Sequence, residues 1–91
     1  MPLAGEVTTW QEPTDGPTPT GERAFRLRTR VRTNAPAPRF RRRLEALGLL
    51  HHAAAIEPVT TNWFWTGTGQ GYEILWRDNT TFDDLLPLAR L

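Results

Sequence analysis

The run from Ala24 to Thr33 constrains the fold more than any other part of the chain. Phe25, Leu27, Thr29 and Val31 alternate there with Arg26, Arg28, Arg30 and Arg32. A strand projects successive side chains to opposite faces, so this period of two predicts a strand with one apolar face and one face made wholly of arginine. In a helix the same residues would scatter guanidinium groups among the apolar side chains. Something must therefore pack on the apolar side, and the other side must reach water or carboxylates.

Elements around this strand follow from local signals. Asn34 to Pro38 ends it and opens a helix over 37–47, with Asn34 as an N-cap and proline tolerated in the first turn. Ala37, Phe40, Leu44 and Leu47 form one helical stripe, and Gly48 is a natural left-handed stop. Two further strands are predicted at 55–65 and 72–77, joined by the glycine-rich loop 66–71. In the tail, Thr81 is placed to accept the backbone N–H of Asp84 and start a helix that Pro87 shortens or kinks. Upstream, 6–10 has strand-like composition, whereas 11–21, with three prolines and two glycines, reads as an exposed linker.

The expectation is a flexible Pro/Thr-rich arm over 1–21 and a single α+β domain over 22–91. That domain has a small mixed sheet of three or four strands with two helices on one face. Its β-α-β-β-α order resembles an incomplete ferredoxin-like topology. Pairing Trp65 with Tyr72, Trp63 with Ile74 and Thr61 with Trp76 collects the hairpin's large aromatics on one side. The expected core is then Phe25, Leu27, Val31, Trp63, Trp65, Tyr72, Ile74 and Trp76 against Phe40, Leu44 and Leu47. The arginines of the first strong strand are left on an uncovered face beside Phe64, Leu75 and Arg77.

A formal net charge of +1 conceals a strong asymmetry. Residues 22–45 hold nine arginines against Glu22 and Glu45, while the segments on either side are each acidic. There is no lysine. A G- and C-rich coding sequence by itself favours arginine, so placement carries more than identity. Glu57 and Glu73, the acidic arm or a partner is expected to compensate the ladder.

Composition also excludes chemistry. With no cysteine there is no disulfide framework, thiolate metal site or cysteine nucleophile. No apolar run approaches the ~20 residues that cross a bilayer as a helix, and residues 1–20 lack the basic start and apolar stretch of a secretory signal. A cytoplasmic location is the expectation. His51 and His52 are adjacent and poorly placed to chelate one metal, and Asp83 and Asp84 read as first-turn helix acids. No phosphate-binding Gly-Lys-Ser/Thr follows the glycines of 66–71. The sequence therefore predicts no catalytic residue, metal or cofactor. It predicts a binding or regulatory module that engages RNA, DNA or an acidic protein surface through Arg26, Arg28, Arg30, Arg32, Arg39, Arg42, Arg43, Phe64 and Arg77. The alternatives are a homo-oligomer built on an open strand edge or the Phe64–Leu75 face, or a small inhibitor of the kind phages and mobile elements encode.

Overall fold

The computed structural model describes residues 3–17, 23–64 and 67–91. Strands β1 (Glu6–Pro17), β2 (Arg23–Arg32), β3 (Ala53–Trp63) and β4 (Gly67–Trp76) form one sheet in the order β1-β2-β4-β3, in which every adjacent pair is antiparallel. Helix α1 (Ala37–Ala46) connects β2 to β3, and a 3-10 helix (Asp83–Arg90) follows β4. The α+β class is as expected. The sheet is not mixed, however: β2 and β3 run the same way, but β4 lies between them.

Residues 6–17 are not a loose arm. β1 pairs with β2 from Glu6↔Arg32 to Pro13↔Phe25, with an irregularity before Pro17↔Arg23. Its prolines fit because β1 is an edge strand, where a missing N–H costs no ladder bond. Residues 18–21 of the expected linker lie outside the described residues.

β2 behaves as its alternation requires. Leu27, Thr29 and Val31 are buried, while Phe25, near the strand's start, is 47% exposed. Over this face α1 buries Phe40 and Leu44. The helix ends with two bonds of a Schellman motif, Gly48 N–H to Glu45 O and Leu49 N–H to Leu44 O, and Gly48 has φ 74°. Its start differs from expectation. The N-cap is Pro36 with no side-chain cap, and Asn34 Oδ1 instead accepts from Gln70 Nε2 at 3.4 Å. Tyr72 ties this entry down by donating its hydroxyl to Ala35 O (2.6 Å) and stacking on Phe40 with centroids 4.5 Å apart.

Leucines of the last 3-10 helix close the core. Leu85, Leu88 and Leu91 recur every three residues, the spacing a 3-10 helix turns into a single stripe, and all three are buried. Thr81 and Asp84 hold the start reciprocally: Asp84 N–H donates to Thr81 Oγ1 (3.3 Å), and Thr81 N–H donates to Asp84 Oδ2 (3.0 Å). Leu3 N–H donates to Leu91 O (2.7 Å), so the approach to β1 is pinned against the chain's last residue.

The β3–β4 register differs from the expected one. Ile56 faces Ile74 and Pro58 faces Tyr72, while Trp63 faces Gly67. Gly67, Gly69 and Gly71 are strand residues, not loop. Gly67 takes a positive φ of 73°, whereas close approach explains the other two: a Cβ on Gly71 would lie 2.0 Å from Val31 O, and one on Gly69 2.8 Å from Arg32 Nε. Trp63 consequently shares a face with Glu73 rather than with the core, and its indole N–H donates to Gly69 O (3.0 Å). It is buried but stands outside the main cluster of Leu27, Val31, Phe40, Leu44, Ile74 and Trp76 with the leucines. Trp65 lies outside the described residues.

Candidate functional site

The face of the sheet opposite α1 is a lattice of rungs. Thr8, Arg30, Glu73 and Glu57 lie side by side across β1, β2, β4 and β3; next to them lie Trp10, Arg28, Leu75 and Ala55. Side chains at these positions share one face because the alternation is unbroken across them. Each of these two arginines therefore has an acid or an aromatic directly beside it on one side, Glu73 for Arg30 and Trp10 for Arg28.

Three ladder arginines are engaged within the fold. Arg26 pairs with Asp78 at 2.7 Å. Arg28 sits between Glu12 (3.0 Å) and Glu73 Oε1, to which its Nη1 donates. Arg30 donates Nε to Glu73 Oε2 at 2.8 Å, and its guanidinium lies 5.4 Å from the centre of the Trp10 ring. Glu73 is only 12% exposed. Burial alone would raise its carboxyl pKa, but the hydrogen bonds and charge of Arg28 and Arg30 outweigh this and hold it below the ordinary carboxylate range. The Glu73 hydrogen bond in turn raises Arg28. The expected compensation thus comes from Glu73 and from Glu12 of the supposed arm. Glu57, on the same rung as Glu73, is exposed.

Arg32 is different. Among the described residues it has no ion pair; its buried Nε, like those of Arg26 and Arg28, has no hydrogen-bond partner. The guanidinium rests over Gly69, where a Cβ would stand 2.8 Å from Nε and 3.1 Å from Nη2; at Gly5 the nearest guanidinium nitrogen would be 3.6 Å away.

Helix α1 presents a second set. Arg39, Arg41, Arg42 and Arg43 are exposed, and among the described residues none has a carboxylate partner; Arg43 Nη2 donates only to Arg90 O at 3.3 Å. Arg39, Arg42, Arg43 and Ala46 follow helical spacing on one side and, with Leu3, line a shallow groove of about 360 Å³. No acid stands in the first turn, and Arg39 sits there against the positive end of the helix dipole. Of the four arginines, only Arg43, in the last turn, is placed where the dipole favours a cation.

The remaining expected site residues are dispersed. Phe64 is 84% exposed just past Trp63, far from Leu75, which faces Ala55. The expected Phe64–Leu75 face therefore does not form. Arg77 donates Nε to His51 O (2.9 Å) at the opposite end of β4. Among the described residues no three metal-ligating side chains come together, and no helix is long and apolar enough to cross a membrane. A cleft of about 440 Å³ at the start of α1 carries Asn34, Thr60, Gln70 and Tyr72 but no charged side chain.

Sequence reasoning missed Trp10 as the cover on Arg30 and Gly69 as the bed of Arg32. The first signal was the even spacing of Trp10 and Glu12, which places both on the arginine side once β1 pairs with β2. Compared with protein-family models, curated proteins and solved structures, the chain matches none.

Proposed function

We propose that this protein is a non-enzymatic binding module that contacts the phosphate backbone of a nucleic acid through the arginines of α1. The observation that carries the reading is the absence of carboxylate partners for Arg39, Arg41, Arg42 and Arg43 among the described residues, beside a sheet whose ladder arginines mostly have them. Arginine's planar fork suits phosphate oxygens, and clustered cations gain by releasing counterions from a polyanion.

Nucleic acid fits better than an acidic protein because of what α1 lacks. Its exposed residues are Ala37, Pro38, Arg39, Arg41, Arg42, Arg43, Glu45 and Ala46, with no aromatic or large aliphatic side chain. Protein interfaces centre on such anchors, with charge at the rim. Self-association through a sheet edge has less support, since Pro13 in β1 and Pro58 in β3 stand on both edge strands.

The test is fluorescence anisotropy with a labelled mixed-sequence oligonucleotide at low salt. Arg39→Gln/Arg42→Gln is expected to weaken binding at least ~tenfold and to flatten the salt dependence. Wild-type affinity in that variant removes the reading. Displacement of the oligonucleotide by polyglutamate at equal charge concentration moves it to an acidic protein surface.

A further inference from the structure

We infer that Arg32 and the α1 arginines form one continuous track around the end of β2, and that its occupant is a single strand of nucleic acid rather than a duplex. This rests on the phosphate-binding reading of α1 and extends it to the other face of the sheet.

Arg32 lies on the face opposite α1, because Val31 next to it is buried in the core. The chain then turns through Thr33 to Pro36 into α1. Residues Leu3 to Gly5 form the rim between the two sites. Gly5 N–H donates to Arg32 O (2.8 Å), Thr33 Oγ1 donates to Leu3 O (2.9 Å), and Leu3 lines the groove with Arg39, Arg42 and Arg43. Two residues of extended chain cover only ~7 Å, so the rim separates the Arg32 guanidinium from the helix groove by a short distance. Small residues, Ala4 and Gly5, occupy this crossing.

Geometry selects the occupant. A ligand touching both sites must pass from one side of the sheet to the other over that short rim. A duplex resists such a bend, having a persistence length of about 150 base pairs, whereas a single strand follows a corner readily. Among the described residues the Arg32 guanidinium, resting over Gly69, has no ion pair and is free to meet a phosphate. Glu6 stands opposite Arg32 on β1.

Two variants test the track against single-stranded and duplex oligonucleotides of equal length. Arg32→Gln removes the charge. Gly69→Ala keeps it but places a methyl group where the guanidinium lies, 2.8 Å from Nε, and φ at Gly69 is not positive, so the backbone accepts alanine. Both are expected to weaken single-strand binding ~3- to 10-fold, with duplex binding little changed. Arg32→Gln should also reduce the slope of log K against log salt by ~0.7, the value for one phosphate contact on a single strand. Wild-type single-strand affinity in Arg32→Gln and Gly69→Ala, with Arg39→Gln/Arg42→Gln impaired, overturns the track and leaves the α1 reading standing. Equal losses on both oligonucleotides overturn the single-strand assignment. Wild-type affinity in all the variants overturns both readings.

Discussion

Two regions of this molecule carry arginine at high density and use it differently. On β2 every second residue from Arg26 to Arg32 is arginine, and the neighbouring strands bring Glu12 and Glu73 onto the same face, with Asp78 beside Arg26. On α1 the same side chain stands at 39, 41, 42 and 43 without a carboxylate partner among the described residues, and Arg39 in the first turn opposes the helix dipole. A charge's role is therefore set by what the topology places beside it. Antiparallel pairing flanks β2 with strands on both sides from Arg28 to Arg32, whereas one side of a helix on the surface faces only water.

Stability gives the largest separation between the regions. Arg28→Glu would put a third carboxylate between Glu12 and Glu73, and urea unfolding should show a loss of about 2–4 kcal/mol, discounted from a fully buried pair because Arg28 is 30% exposed. The same reversal at Arg42 should change stability by no more than about 0.5 kcal/mol. Comparable losses at the two sites would break the distinction.

Acid sharpens it next. Glu73 is depressed in the folded state, so its contribution is fully present above the ordinary carboxyl value near about 4.3 and disappears as pH falls through its own lower value. At neutral pH Glu73→Gln should be less stable by about 1–2 kcal/mol, leaving two guanidiniums without their shared acceptor. That gap should narrow below about pH 4. A constant gap from neutral pH to pH 3 would show that Glu73 contributes by packing rather than charge.

A smaller effect has the opposite sign. Arg39→Gln removes a like-charge i,i+4 pair with Arg43 and a cation from the first turn, so α1 should gain about 0.3–0.5 kcal/mol. Thermal unfolding should register this as a rise of roughly 1–4 °C. A fall in Tm would mean that Arg39 has a structural partner after all.

What could be read from the residues depended on how local the cause was. The β2 alternation, the α1 stripe and the Gly48 stop each involve neighbours within one or two turns, and each was legible. The β3–β4 register was not, because Gly67, Gly69 and Gly71 suit a loop by composition. Gly69 and Gly71 suit a strand because a neighbour needs the room, the Arg32 guanidinium at one and Val31 O at the other, while Gly67 opens β4 with a positive φ. β1 was obscured by its prolines, which rule out a central strand but not an edge. The leucines at 85, 88 and 91 were hidden by Pro87, which argues against an α-helix and is compatible with a 3-10 one. At the site, Glu73 was foreseeable as a compensating acid. The separate standing of Arg32 was not, since it depends on Gly5 and Gly69 from two other parts of the chain.

One titration tests the distinction most directly: the affinity of a single-stranded oligonucleotide for Arg26→Gln and for Arg42→Gln at the same low salt. Both substitutions remove one positive charge, and the first also leaves Asp78 without its partner, so net charge alone predicts at least as large a loss at position 26. If the helix is the contact surface, Arg42→Gln weakens binding by about 3- to 10-fold while Arg26→Gln stays within about twofold of wild type. Equal losses, or a greater loss from Arg26→Gln, would contradict the assignment of contact to α1 and of the ladder to the fold.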